Sequence, residues 1–230
     1  DGDLDNGVVT HEYGHGISHR LTGGPGAGAG CLSNAERGDE GWSDYFALMM
    51  TTNWATATVN DGFNIPRPVG TYVLNQATNG PGIRVHPYCT NMAIDPWTYS
   101  GVQTSGGEVH DIGEIWCSTI WDMTWNIIQI AGINPNLFNP AGGGGNTIAM
   151  KLVIMGEKLQ KCSPGFLDSR DAILQADQLL YGGAYHCAIV NAFANRGMGF
   201  NAVQGSSGNT NDQVQGFSAE ESSLVVNESL

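Results

Sequence analysis

The chain has 230 residues, of which 41% are hydrophobic, so it can bury one large core or two small ones. Its 22 acidic and 9 basic residues give a net charge of −13, which argues against nucleic acid or an anionic membrane as a partner. No apolar run of about 18 residues predicts a transmembrane helix, and the start of the sequence does not resemble a signal peptide. We therefore expect a mature fragment or one lobe of a longer chain.

The first predicted element is a helix over residues 7–20, which follows an acidic stretch at residues 1–7. Alternating aspartates can bind calcium, but their spacing does not fit an EF-hand loop, and we favour Asp5 or Asn6 as a helix N-cap. Gly14 and Gly16 each cost roughly 1 kcal/mol in a helix interior. We interpret them as positions where another backbone comes close or where a metal needs room.

The same helix carries the pattern H-E-x-x-H at His11, Glu12 and His15. Residues four apart share a helix face, so the two imidazoles can bind one zinc ion. Glu12 lies at the edge of that face, where it can act as a general base on a metal-bound water. The pattern alone is equally consistent with a surface helix bearing two unrelated histidines. His19 would need a long reach to be a third ligand, and we interpret it as a flanking polar residue.

Six glycines in residues 22–38 predict a long loop, and apolar spacing then predicts a helix over residues 40–54. Glu40 and Asp44 are four apart and share a face of that helix. Beside two zinc histidines, Glu40 can supply a third ligand, and Asp44 can accept the second ring N–H of a ligand histidine and fix its tautomer. Without the H-E-x-x-H pattern upstream, we would interpret Glu40 as an acidic residue of the first helical turn and Asp44 as a solvated aspartate.

The run H-E-Y-G-H-G-I-S, the glycine-rich loop and E-G-W-S-D resemble the fungalysin family of secreted, thermolysin-like zinc metallopeptidases. The resemblance continues through G-G-E-V-H-D-I-G-E-I-W and D-S-R-D-A-I-L-Q-A-D and covers most of residues 1–200. It implies His11, His15 and Glu40 as ligands of one zinc ion, Glu12 as catalytic base and Asp44 as the residue that orients a ligand. It also implies an extracellular location and protein or peptide substrates. Family members carry a β-rich N-terminal lobe and a propeptide, and neither is present in this sequence.

The middle of the chain is predicted to change from loops to a buried helix. Residues 60–105 should form loops with at most short strands, at 71–74 and 82–85. Residues 106–131 should form a long central helix that is apolar nearly all round.

His110 lies in the first turn of that helix. A lone histidine near a helix start is common, but the resemblance implies a hydrogen bond from His110 to the developing oxyanion, as in thermolysin-like enzymes. Glu108, Asp111 and Glu114 are weaker candidates for a role in the site.

Three further helices are predicted at 147–161, 168–180 and 183–196, with Asp168 as the N-cap of the second. A structural role is expected for His186, among residues predicted to face a shared core: Leu159, Ile173, Leu174, Leu179, Ile189, Val190 and Phe193. Past residue 200 the chain is rich in Gly, Ser, Asn and Gln. We therefore divide it into a helical catalytic lobe, residues 1–200, and a polar tail or linker, residues 201–230.

The five cysteines fit two disulfides and one free thiol in a secreted protein, or five thiols in the cytosol. Cys117 lies in an apolar run and is expected to be a buried free thiol. We expect Cys31 to pair with Cys89 and Cys162 with Cys187, although spacing alone proves neither pair.

The sequence thus predicts a mainly α, helical zinc-binding lobe of a secreted endopeptidase. Glu12 would take a proton from the zinc-bound water and deliver it to the leaving amine, while His110 would hold the oxyanion. Two alternatives remain: a catalytically silent zinc-binding adhesion or scaffold domain, and a metal amidase acting on a non-peptide substrate.

Overall fold

The computed structural model of the chain describes residues 1–139 and 141–220. A short 3-10 helix, Gly2–Leu4, precedes the α-helices of these ranges: α1 (Asn6–Leu21), α2 (Asp39–Thr51), α3 (Asp61–Asn64), α4 (Gly101–Thr104), α5 (Val109–Ala131), α6 (Gly145–Leu159), α7 (Phe166–Tyr181) and α8 (His186–Asn195). β-structure in the same ranges is confined to isolated bridges. The prediction of a mainly α fold is confirmed, whereas residues 71–74 and 82–85 form turns and bends rather than strands.

The core is centred on α5, which is buried over most of its length, as its apolar composition predicts. It packs against α2, α6 and α8, while α1 packs on α2 and α7 on α6. The helix begins at Val109, later than predicted, because the Glu108 side chain is its N-cap and accepts from the backbone N–H groups of His110 and Asp111. None of the described helices combines the length and the hydropathy needed to cross a membrane.

Glycines allow α1 and α5 to approach α2 closely at the level of the predicted metal site. A Cβ atom on Gly14 would lie 2.8 Å from the Cα atom of Ser43, and one on Gly113 would lie 2.4 Å from the Cβ atom of Glu40. Larger residues would therefore push the helices apart. Gly16, in contrast, faces open space.

The start of α1 is fixed by Asp5 rather than by Asn6. One carboxylate oxygen of Asp5 accepts from the N–H groups of Gly7 and Val8, and the other accepts from Val73. Both oxygens are therefore engaged in capping and in holding the 71–74 turn.

Three details of the C-terminal helices differ from the predictions. Asp168 is not the N-cap of α7, because the helix begins at Phe166, and Asp168 accepts from the N–H of Gly165 three residues earlier. Leu179 is 59% exposed rather than in the core, because the buried face of α7 ends near Asp177. His186 is exposed at the start of α8, beside the Phe200 ring.

A buried arginine joins α8 to the long loop before α5. Arg196 is fully buried and forms two hydrogen bonds to Asp122, with Nε 2.7 Å from Oδ2 and Nη2 3.0 Å from Oδ1. The same guanidinium donates to the carbonyl oxygens of Cys89, Asp95 and Trp97. Arg196 thus neutralises a buried carboxylate and holds this part of the loop.

Residues 201–220, predicted as part of a tail, lie against the helical body. Val203 and Val214 form an antiparallel bridge, Gln213 is buried, and Ser207 accepts a backbone hydrogen bond from Glu36. Residues 221–230 of the predicted tail lie outside the described residues. The division of the chain at residue 200 stays a prediction.

The predicted disulfide pairing is wrong. The bond joins Cys31 to Cys162, while Cys89 and Cys187 are free thiols. It links the glycine-rich loop to the turn after α6, where Ser163 also donates to the Cys31 carbonyl oxygen. Cys117 is a buried free thiol, as predicted.

We predict that Glu157→Met raises the Tm of the chain. Glu157 is fully buried on α6, and neither of its carboxylate oxygens has a hydrogen-bond partner among the described residues. Burial raises the pKa of this carboxyl well above the ordinary value of 4.5. As the pH rises above 4.5, Glu157 therefore ionises in the unfolded state before it ionises in the folded state. The free energy of unfolding falls as a result. The gain in Tm, on the order of several °C, should grow as the pH rises above 4.5.

Glu157→Gln is the matched control in these thermal scans. It removes the titration but leaves a buried polar group without a partner, so it should flatten the pH dependence and raise the Tm less. A Tm difference between Glu157→Met and the wild type that stays constant with pH would contradict this account.

Candidate metal centre

Helices α1 and α2 bring three predicted ligands together. The Nε2 atoms of His11 and His15 are 3.2 Å apart, and the Oε2 atom of Glu40 lies 3.1 Å from His11 Nε2 and 3.7 Å from His15 Nε2. With bonds of about 2.0–2.1 Å, tetrahedral zinc separates its ligand atoms by roughly 3.3 Å. The triangle formed by the three atoms therefore matches one face of a zinc coordination tetrahedron.

Two carboxylates fix the tautomers of the histidines. Nδ1 of His11 donates to Asp44 at 2.7 Å, and Nδ1 of His15 donates to Asp39 at 2.9 Å. Because both Nδ1 atoms carry the proton, each neutral ring points the lone pair of Nε2 at the other ring and at Glu40. In this tautomer three electron pairs converge on one point, where a proton or a metal ion between them is favoured.

The charges around the cluster agree with this arrangement. Glu40 Oε2 is buried and has no hydrogen-bond partner among the described residues. Burial lowers the pKa of His11, but the neighbouring carboxylates of Asp44 and Glu40 outweigh it and raise the pKa to about 9. Burial raises the pKa of Glu40, but His11, His110 and His15 outweigh it and lower the pKa. The protein therefore attracts positive charge to the place where a metal ion would lie.

Asp44 is buried and receives more donors than the sequence predicts. Besides His11, it accepts from Arg84, with Nε 2.6 Å and Nη2 2.9 Å away, and from the Tyr88 hydroxyl. Burial raises the pKa of Asp44, but His11 and Arg84 outweigh it, so the pKa is well below its ordinary value. Asp44 is thus held as a carboxylate facing His11.

The loop that carries Arg84 is attached to α5. Glu114 accepts from the N–H groups of Val85 and His86 and from the Trp97 indole. Burial raises the pKa of Glu114 to about 7. Residues from α1, α2, α5 and this loop therefore contact one another around the cluster.

Glu12 and His110, the two residues predicted to act on the reaction, are both exposed to solvent. Glu12 is exposed and follows His11 on α1. The Nε2 atom of His110 is 3.6 Å from Glu40 Oε2, and its Nδ1 atom donates to Glu108 at 2.7 Å. The structure thus places His110 beside the three converging atoms, with Glu108 rather than Asp111 as its partner.

His19 lies one turn beyond His15 on α1 and is not part of the His11–His15–Glu40 triangle. Its Nε2 atom is 2.9 Å from Asp39, and its Nδ1 atom is 2.8 Å from the carbonyl oxygen of Ala29 in the glycine-rich loop.

The sequence reasoning missed two residues of this site, Asp39 and Arg84, and named Glu108 only as a weaker candidate. Asp39 orients His15, Arg84 holds Asp44, and Glu108 holds His110. Asp39 carried a usable signal, because it directly precedes a predicted ligand. Arg84 carried almost none, since it lies in a loop without periodicity.

The chain is similar to known proteins over most of its length. Residues 1–202 match the Fungalysin metallopeptidase family. The chain is 42% identical to extracellular metalloproteinase 2 of Arthroderma gypseum over 211 residues, which are 89% of this chain and 32% of that protein. It is 41% identical to the protein of the same name from Trichophyton tonsurans, with the same coverage.

A third relative is extracellular metalloproteinase MEP of Pyricularia oryzae, which is 43% identical over 209 residues, or 88% of this chain and 31% of that protein. The chain therefore spans about a third of the length of these curated relatives.

We predict that Asp44→Asn lowers the affinity of the chain for zinc about 10–100-fold, because His11 loses a charged acceptor and Arg84 loses its counter-ion. Zinc affinity is measured by competition with a fluorescent chelator.

Asp122→Asn is the matched control. It also weakens a buried arginine–aspartate pair that is joined by two hydrogen bonds, but this pair lies away from the cluster. If the two substitutions lowered zinc affinity equally, the effect would reflect folding and the orienting role of Asp44 would be wrong.

Proposed function

The chain belongs to the fungalysin family of metallopeptidases, and from this membership we propose that it is the zinc-binding catalytic lobe of a secreted endopeptidase. The convergence of His11 Nε2, His15 Nε2 and Glu40 Oε2 carries the proposal. The relatives are named extracellular metalloproteinases, which supports both secretion and peptide-bond hydrolysis.

One zinc ion would be held by these three atoms, a donor set of two imidazoles and one carboxylate that is typical of catalytic zinc. When bound, zinc supplies Lewis-acid chemistry, acidifying a water and polarising the scissile carbonyl. Calcium is not part of the proposal, because both carboxylate oxygens of Asp5 already bind backbone N–H groups.

Glu12 is the general base. It is exposed next to His11, so its carboxylate can reach a water at the open side of the cluster. It accepts one proton from the attacking water and then delivers that proton to the leaving amine.

His110 stabilises the oxyanion. Its Nδ1 atom already donates to Glu108, so Nε2 donates as well when the ring carries both protons. Nε2 lies on the open side, close to Glu40, where negative charge develops on the substrate carbonyl oxygen.

A further part of the protein, such as a β-rich N-terminal lobe, would pack against this chain. An apolar groove of about 560 Å³ lies on the face of α1 opposite His11 and His15. Tyr13 and Phe138, both 76% exposed, line it. An exposed apolar surface of this kind supports contact with another lobe.

We predict that Glu12→Gln retains zinc but loses at least about 100-fold in kcat, because the amide cannot accept the proton. Cleavage of a quenched fluorogenic peptide is measured with and without a chelator, alongside zinc content.

Asp171→Asn, which removes an exposed carboxylate on α7, is the control and should remain active. A Glu12→Gln protein that cleaved near the wild-type rate would exclude Glu12 as the base. Bound zinc with no cleavage of any peptide by the wild type would favour a silent binding domain instead.

We predict that His110→Asn lowers kcat by about 100- to 1,000-fold, with little change in KM or zinc content, since the lost hydrogen bond forms mainly in the transition state. Steady-state kinetics on the same peptide check this. An increase in KM at unchanged kcat would instead assign His110 to substrate binding.

A further inference from the structure

A second group of potential metal ligands lies beside the first. Among the described residues, the ligand atoms of His15, His19 and Asp39 lie within 4.8 Å of one another, as do those of His11, His15 and Glu40. His15 belongs to both groups through different atoms, because Nε2 faces Glu40 and Nδ1 faces Asp39.

Both ring nitrogens of His19 face oxygen atoms. Nδ1 is 2.8 Å from the Ala29 carbonyl oxygen, and Nε2 is 2.9 Å from Asp39 Oδ1. Both oxygens only accept hydrogen bonds. With Nδ1 directed at Ala29, Nε2 of His19 is directed at Asp39 Oδ1, so that a cation between these two atoms could bind both.

We propose that His19 Nε2 and Asp39 Oδ1 bind a second divalent transition-metal ion of the zinc type. Zinc at about 2.0–2.2 Å from each atom would separate them by roughly 3.3 Å, so the two side chains need to part by only a few tenths of an ångström. The side chains are 28% and 13% exposed, which leaves them accessible to an ion from solvent.

This second site is weaker than the first. It has two ready protein ligands, and His15 Nδ1 can become a third only by losing the proton that it donates to Asp39. Water completes the coordination. When the ion binds, His19 releases any proton on Nε2, so the bond that forms replaces an N–H bond.

The consequence for activity, which rests on the proposed function, is inhibition by excess zinc. Asp39 Oδ1 cannot fully serve both the second ion and the His15 N–H group, so filling the second site weakens the orientation of a ligand in the first. A residue that orients a metal ligand typically affects activity about 10–100-fold.

The test counts bound ions on the metal-free chain by isothermal titration with zinc and by metal analysis at each plateau. The wild type should bind two ions, the second more weakly. His19→Ala and His19→Gln should each bind one. His186→Ala, which removes an exposed histidine on α8, should still bind two and thereby controls for non-specific zinc binding.

Peptidase rates are then measured for each protein at one equivalent of zinc and at a saturating excess. The rate in excess zinc is divided by the rate of the same protein at one equivalent. The wild type and His186→Ala should slow about tenfold, and the His19 variants should not. A wild type that binds a single ion, or His19 variants that keep the second one, would overturn the proposal. The ion count needs no catalysis, so it stands or falls separately from the proposed function.

Discussion

The rest of the site depends on the placement of two protons. Asp44 and Asp39 each hold a proton on the Nδ1 atom of a histidine, and this forces the opposite lone pairs of His11 and His15 toward Glu40. Without a cation, this arrangement sets three electron pairs against one another. A metal ion turns the same arrangement into three bonds, which is how orienting carboxylates raise metal affinity.

The scaffold serves to keep those carboxylates in place. Asp44 is buried, and Arg84 and Tyr88 maintain its charge, while Glu114 on the central helix binds the backbone beside Arg84. Close packing at Gly14 and Gly113 sets the distances between α1, α2 and α5. A small displacement of α5 would therefore reach His11 through this chain of contacts. Glu12 and His110 are exposed to solvent, and the His110 ring lies next to Glu40.

The residues that lie close together within one helix could be predicted from the sequence. The contacts that depend on how one helix or loop packs against another could not. Helical spacing places His11 beside His15 and Glu40 beside Asp44. Asp39 was missed because its direction depends on how α1 crosses α2, and Arg84 because nothing periodic marks its loop. Cys31 and Cys162, 131 residues apart, illustrate the same limit, since only the fold shows that the two loops meet.

The central claim is that one ion lies where the three atoms converge. Anomalous scattering at the zinc absorption edge, from crystals of the chain grown with one equivalent of zinc, tests it most directly. The account predicts a single strong peak about 2 Å from His11 Nε2, His15 Nε2 and Glu40 Oε2, with the fourth position open toward Glu12. The absence of a peak there, with the histidine rings turned away from Glu40, would contradict it.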